Sequence, residues 1–326
     1  MRKLRLQKES WPLASRFAIS RGSRTTSEVV LVEIGQGAAI GRGECSPYPR
    51  YGESVDGVMA TIESLRAKIE RGLEREELQG LLPAGAARNA LDCALWDLEA
   101  KRSGRPVWQL AGLSRPGPIT TAFTLSLDTA EKMGAAAKAN AARPLLKIKL
   151  AGPADLDRVR SVHANAPDAR LIVDANEGWT AEIYADLAPQ LKPLGVELIE
   201  QPFPQSADAA MEGLARPVAV CADESCHDRA SLARIAGRYD AVNIKLDKTG
   251  GLTEALALKA AARAAGFRLM VGCMLGTSLA MAPALLVAAG AEIVDLDGPL
   301  LLARDRAPGL AYTASEIAPA EAALWG

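Results

Sequence analysis

Seven short apolar runs in this chain each stop on a charged or polar residue, and the stops recur every 22 to 28 positions. They read LLKIKL, stopping at Lys147 and Lys149, LIVDAN at Asp174, ELIEQP at Glu200, VAVCADES at Asp223, AVNIKL at Lys245, LMVGCM at Cys273 and EIVDLDG at Asp295 and Asp297. An apolar run of about four to six residues suits one buried strand, and about two dozen residues suit one strand–helix unit. Helical spacing fills the gaps, over 129–140, 154–163, 180–191, 207–214, 229–236, 252–265 and 278–289. TTAFTLSL at 120–127 supplies a further strand ahead of the seven. Eight strands alternating with helices predict an α/β fold of the TIM-barrel type. The last strand runs into DGPLLLARD, which lacks the length of a final helix, so the expected form is (β/α)7β.

The N-terminal part is organised differently. SEVVLVEI at 27–34 and the segment 39–44 read as strands, whereas 55–77 and the amphipathic stretch AARNALDCALWDLEAK at 86–101 read as helix. Gly104 and Pro106 stop that helix, and VWQLAGL suggests a short second one. Strands followed by helices indicate an α+β domain. The SRPGP cluster at 114–118 marks the linker, giving a capping domain over 1–115 and a barrel over 116–302. The tail, roughly 303–326, is expected to return to the cap.

Composition narrows the function classes. Apolar residues make up 49% and charged residues 24%, with 38 basic against 39 acidic side chains, which gives no nucleic-acid footprint and no polybasic membrane patch. MRKLRLQKESW lacks the apolar core of a secretory signal, and the longest apolar run, Leu279 to Ala291, is too short for a bilayer and contains Pro283. Five cysteines without a CxxC pair fit reduced thiols, so a cytoplasmic location is expected. Only two histidines are present, neither near a nucleophile motif, which disfavours a Ser-His-Asp hydrolase.

Polar groups at the carboxyl ends of parallel strands all point into one mouth. Asp174, Glu200 and Asp223, on three successive strands, would converge there and repel unless a cation lay between them. An all-oxygen set of carboxylates selects a hard divalent ion, and Mg2+ fits best. Lys147 and Lys149 share a strand face, and Lys245 lies across the mouth, so a base, a metal and a second base follow in order. Two bases flanking one carbon suit a 1,1-proton transfer next to a carboxylate, with the metal stabilising the enediolate. Lys147 stands about 6.6 Å from Lys149 along the strand. At an effective dielectric of about 20 the repulsion is about 2.5 kcal/mol, which would help Lys149 lose its proton.

The KxK motif, the acids at successive strand ends and NIKLDKTGG together resemble the enolase superfamily, muconate-lactonising subgroup, over essentially the whole chain. GECSPYPRYGES, AARNALDCALWDL, CADESCH, KTGGLTEALAL and DLDGP resemble its bacterial L-Ala-D/L-Glu (dipeptide) epimerases. That resemblance implies Lys149 and Lys245 as the acid/base pair, Asp174, Glu200 and Asp223 as Mg2+ ligands, and Lys147 as a contact to the substrate carboxylate. It also implies that Asp295 and Asp297 receive the α-ammonium of the dipeptide, and that Thr124 and Cys273 touch substrate. A loop arginine, Arg24 in preference to Arg21, would hold the glutamate side chain. Tyr48 and Tyr51 would line a second mobile loop. Glu224 is expected to point away from the mouth, Lys248 to be structural and His227 to cap a helix. The implied partner is a small dipeptide, the implied setting is muropeptide recycling, and homo-oligomerisation is compatible with it. The alternatives are an epimerase of another dipeptide, cycloisomerase or o-succinylbenzoate synthase chemistry, a Schiff-base aldolase using Lys149 or Lys245, and a non-catalytic binding protein on the same barrel.

Overall fold

The computed structural model describes residues 1–326. Its N-terminal sheet consists of β1 (Lys3–Ile19), β2 (Gly22–Gln36) and β3 (Ala39–Cys45), antiparallel in that order. Residues 3–19, to which the apolar pattern assigns no element, form a long edge strand. Leu4 faces inward between exposed Lys3 and Arg5, and the pairing register with β2 shifts between Pro12 and Phe17. The density of charge on its solvent face masks that alternation. The helix Ala86–Ser103 packs on β3 at backbone distance. A Cβ on Gly41 would stand 2.1 Å from the Ala94 carbonyl oxygen, and one on Gly43 would stand 2.1 Å from that of Ala90, so the GRG sequence is what permits the contact. The span 55–77 is not one helix but Val55–Ser64, Arg66–Arg71 and the start of Arg75–Leu81, broken where Gly72 turns left-handed at φ +114. A core of 17 buried residues sits between these elements.

After β4 (Ile119–Thr120) come eight strands: β5 (Phe123–Leu125), β6 (Leu145–Lys149), β7 (Arg170–Asp174), β8 (Val196–Glu200), β9 (Ala219–Ala222), β10 (Ala241–Ile244), β11 (Arg268–Gly272) and β12 (Ile293–Asp295). They pair in chain order, all parallel, in one sheet. The Ala122 amide donates to the Val294 carbonyl at 2.8 Å, which joins the last strand to the approach of the first. The expected helix at 207–214 is a 3-10 segment, Gln205–Met211, and a single turn, Gly298–Leu301, follows β12. β13 (Glu316–Ile317) pairs antiparallel with β4, and the tail then reaches the long N-terminal helix: Trp325 Nε1 donates to the Cys93 carbonyl at 3.0 Å and the Gly326 amide to Asp97 Oδ1 at 2.7 Å.

Strand alternation sorts the barrel residues into layers. The outward positions, such as Leu146, Ile148, Val173 and Ile199, join a core of 58 buried residues shared with the surrounding helices. Inward, one residue from each strand or its approach builds an apolar floor: Ala122, Leu145, Ile172, Leu198, Cys221, Ala241, Met270 and Ile293. Two residues further along the same faces the floor gives way to Thr124, Lys147, Asp174, Glu200, Asp223, Asn243, Gly272 and Asp295. The chemistry of the molecule begins at that step.

Candidate active site

The acids and lysines singled out from the sequence meet at this upper layer and two residues above it, and all are buried. Lys149 ends β6 and Lys245 follows β10, four strands apart in a ring of eight, so the two amines rise from opposite walls with the carboxylates between them. The Lys149 ammonium stands 2.6 Å from Asp174 Oδ2. The Lys245 ammonium stands 2.7 Å from Asp223 Oδ2 and 3.9 Å from Glu200 Oε1. Lys147 contacts three carboxylates, Glu200 at 2.6 Å, Asp295 at 2.7 Å and Asp174 at 3.3 Å.

These pairs govern protonation. Burial opposes ionisation of Asp174, but the Lys149 and Lys147 charges outweigh it and hold the carboxyl below its usual range. Asp223 follows the same balance, with Lys245 and Lys248 as the offsetting charges. Burial would lower Lys147, yet Asp295, Glu200 and Asp174 carry it upward, and Lys245 is carried upward by Asp223 and Glu200 against the same burial. Lys147 is not a bare charge beside Lys149. Its charge is spent on three carboxylates, and it shares Asp174 Oδ2 with Lys149.

Glu200 behaves differently. Burial and then the Asp174 charge push its carboxyl up, against the pull of Lys147. Its Oε2 lies close to Lys147 but off the hydrogen-bonding direction, and both Glu200 Oε2 and Asn176 Oδ1 are buried oxygens with no donor aimed at them. The carboxylates are drawn onto the lysines, so no three stand in metal-holding geometry. The set nevertheless fits a hard cation in chemistry and placement: three buried carboxylates on adjacent strands, one of them destabilised by its neighbours' charge.

Above the layer lies a cavity of about 510 Å³ that reaches Thr124, Cys273, Asp295, Asp297 and Arg24. Asp297 Oδ2 accepts from the Thr124 amide at 2.6 Å, while Asp295 is paired with Lys147. Burial, reinforced by Asp295, pushes the Asp297 carboxyl up to about 7. Burial also pushes the Cys273 thiol up, so it lines the cavity as an uncharged group. The turn between β1 and β2 covers the mouth. Arg21 is tied down there, donating to the Asn176 carbonyl at 2.6 Å, to Glu224 Oε1 at 2.6 Å and to the Tyr48 hydroxyl at 3.0 Å. Arg24 forms no ion pair, and its guanidinium stands 5.9 Å from the centre of the Tyr48 ring. Arg50 grips Glu177 through two hydrogen bonds of 2.8 Å, which fixes the second loop.

Several residues escaped the sequence reading. Glu224 does not point away: β9 ends at Ala222, alternation stops there, and the side chain lines the cavity. His227 is not a side-chain cap; its ring packs edge-on against Tyr51 at 4.6 Å and Nε2 meets the Glu224 carbonyl. Lys248, expected to be structural, is buried against Asp223 Oδ1 at 2.7 Å and donates to the Asn243 carbonyl. Asn243 Nδ2 donates to Glu200 Oε1 at 2.7 Å, and Gly272 leaves room for it, since a Cβ there would meet the Asn243 amide at 2.8 Å. Counting two residues on from the floor would have found Asn243, because it stands between inward Ala241 and inward Lys245.

Comparison with known proteins agrees with this geometry. Residues 1–112 match the mandelate racemase / muconate lactonizing enzyme N-terminal domain, and residues 128–299 match the enolase C-terminal domain-like family. The chain is 50% identical to L-Ala-D/L-Glu epimerase of Escherichia coli K12 over 97% of this chain and 99% of that one. It is 44% identical to N-acetyl-D-glutamate racemase of a Pseudoalteromonas species over 91% and 95%. Among solved structures, an enolase family member from Agrobacterium tumefaciens with homology to dipeptide epimerases, holding sodium and L-Ala-L-Glu, superposes with a TM-score of 0.98 at 52% identity over 100% of both chains. A dipeptide epimerase from Methylococcus capsulatus complexed with Mg and L-Arg-D-Lys superposes at 0.91 with 30% identity over 98% and 97%. The cap and the parallel barrel thus have their counterpart in known isomerases, and the chain belongs to the mandelate racemase/muconate-lactonizing enzyme family of the enolase superfamily.

Proposed function

We propose that this protein is a dipeptide epimerase that interconverts L-Ala-D-Glu and L-Ala-L-Glu by moving one proton at the glutamyl α-carbon. The observation that carries the reading is the placement of Lys149 and Lys245 on opposite walls with Asp174, Glu200 and Asp223 between them. Those three carboxylates would hold a divalent cation, magnesium by the chemistry of the donors, which would supply charge stabilisation beside the substrate carboxylate. One lysine, as the neutral amine, takes the α-proton from its face. The other, as the ammonium, returns a proton to the opposite face, so the configuration inverts and no net proton is consumed. Lys147, held by Glu200, Asp295 and Asp174, keeps a fixed positive charge beside the substrate carboxylate. Asp295 and Asp297 suit the free α-ammonium, and Arg24, unpaired at the cavity wall, suits the glutamate side chain.

In this reading the barrel of 116–302 carries the chemistry and the cap of 1–115, joined by 303–326, shuts it. No helix is long and apolar enough to cross a membrane. A cytoplasmic role in recycling cell-wall muropeptides accords with such a substrate. A second reading, racemisation of an N-acylated glutamate, is favoured by the 44% identity to the N-acetyl-D-glutamate racemase of a Pseudoalteromonas species. Following L-Ala-D-Glu and N-acetyl-D-glutamate by chiral chromatography with Mg2+ present separates the two. Conversion of the dipeptide with little of the acyl amino acid is expected; preference for the acyl amino acid overturns the dipeptide assignment.

A further inference from the structure

Directly after Glu200 the chain does something costly. Strand alternation would send Gln201 into the apolar layer between barrel and helices. Instead its backbone turns into the left-handed region, at φ +35, which residues with a side chain rarely adopt, and its amide is fully buried. The main chain of Gln201 ties β8 to both neighbours: its amide donates to the Cys221 carbonyl at 2.9 Å, and its carbonyl accepts from the Glu177 amide at 2.9 Å. The side chain completes the tie. Oε1 accepts from the backbone amides of Asp223 at 2.9 Å and Ser225 at 3.1 Å, while the two hydrogens of Nε2 are shared among the Phe203 carbonyl at 2.9 Å, Ser225 Oγ at 2.8 Å and the Tyr239 hydroxyl at 3.0 Å. Behind Nε2, the Asp208 carboxylate receives both the Tyr239 and the Ser225 hydroxyls.

We propose that Gln201 is the positioning residue of the cation site, setting the spacing of Glu200 and Asp223 by locking together the two strand ends that carry them. Only a primary amide serves both ends of this brace. A glutamate could accept from the Asp223 and Ser225 amides, but it would set a second carboxylate against Asp208 and the Phe203 carbonyl. A methionine fills the same space and offers neither function. The proposal rests on the reading of the three carboxylates as a cation site.

The test uses full-length protein stripped with a chelator and titrated with Mn2+, followed by electron paramagnetic resonance and calorimetry. The wild type is expected to take up one Mn2+. Gln201→Met is expected to bind it about 10–100-fold more weakly, with an altered hyperfine pattern, because residues behind metal ligands typically have that leverage. Leu78→Ala, in the separate N-terminal core, should lower the melting temperature yet leave Mn2+ affinity unchanged, which distinguishes positioning from mere stability. Mn2+ affinity of Gln201→Met within twofold of wild type overturns the proposal. Should that variant not fold, Tyr239→Phe removes a single hydroxyl behind the amide; weaker Mn2+ binding supports the brace, and wild-type affinity overturns it. Failure of the wild type itself to bind Mn2+ overturns the cation reading and the brace with it, whereas tight wild-type binding with an indifferent Gln201 variant overturns the brace alone.

Discussion

The floor of the barrel and the layer above it are built from the same strands, two residues apart, and they follow opposite rules. Below, Leu145, Ile172, Leu198, Met270 and Ile293 fill the interior with apolar side chains that need no partners. Above, Lys147, Asp174, Glu200 and Asp223 are equally buried but charged, and every one depends on a neighbour of opposite sign. Burying charge without a partner costs far more than burying a methyl group returns. The floor therefore serves stability, and the upper layer is maintained for chemistry.

Substitutions can break that division, beginning with the largest effect. Lys149→Ala or Lys245→Ala should lower the epimerisation rate by about 10²–10⁴, the usual share of a positioned acid or base. A lysine variant that keeps most of its activity contradicts the assignment. Lys147→Met should destabilise the protein by about 3–5 kcal/mol, because it leaves Glu200, Asp174 and Asp295 without their shared counter-charge. Added Mg2+ should recover part of that loss in the same unfolding experiment, and no recovery would argue that the acids do not receive a cation. Met270→Ala, one layer down, should cost about 2–5 kcal/mol by leaving a cavity, with Mg2+ affinity kept.

The smallest effect concerns pH. Asp247, two residues beyond Lys245, accepts from the Ser46 amide and from Asn89 Nδ2 where cap and barrel meet. Burial pushes its carboxyl from 3.8 up to about 7, with Glu53 and Glu44 adding to the rise and the Asn89 and Ser46 hydrogen bonds opposing it. The native state thus keeps a proton that the unfolded chain has released, so this group costs stability progressively as pH rises from about 4 to about 7. Asp247→Asn preserves the acceptor without the charge. Its melting temperature relative to wild type should climb through that window, and a difference that stays flat with pH would show that Asp247 is ionised throughout.

What could be read from the sequence followed the same division. The eight strands, their inward faces and the acids and lysines at their ends were legible because buried parallel strands leave uninterrupted apolar runs, and a charge at the end of such a run stands out. β1 was not legible, since its inward Leu4 alternates with a charged outer face that reads as solvated. Glu224 and Gln201 were misplaced or missed for one reason: alternation ends with the strand, and the backbone conformation just beyond it, left-handed at Gln201, leaves no mark in a hydropathy pattern. The preference for Arg24 over Arg21 has its physical reason only in three dimensions, where Arg21 is held by Glu224 and the Asn176 carbonyl and Arg24 is left free at the cavity wall.

Proton NMR of L-Ala-D-Glu incubated with the wild-type enzyme and Mg2+ in D2O addresses the two opposed lysines most directly. The account predicts that L-Ala-L-Glu forms with deuterium at the glutamyl α-carbon from the first turnovers, the label entering on the face opposite the departing proton. Solvent deuterium absent from both epimers, or entering L-Ala-D-Glu without inversion, would contradict it.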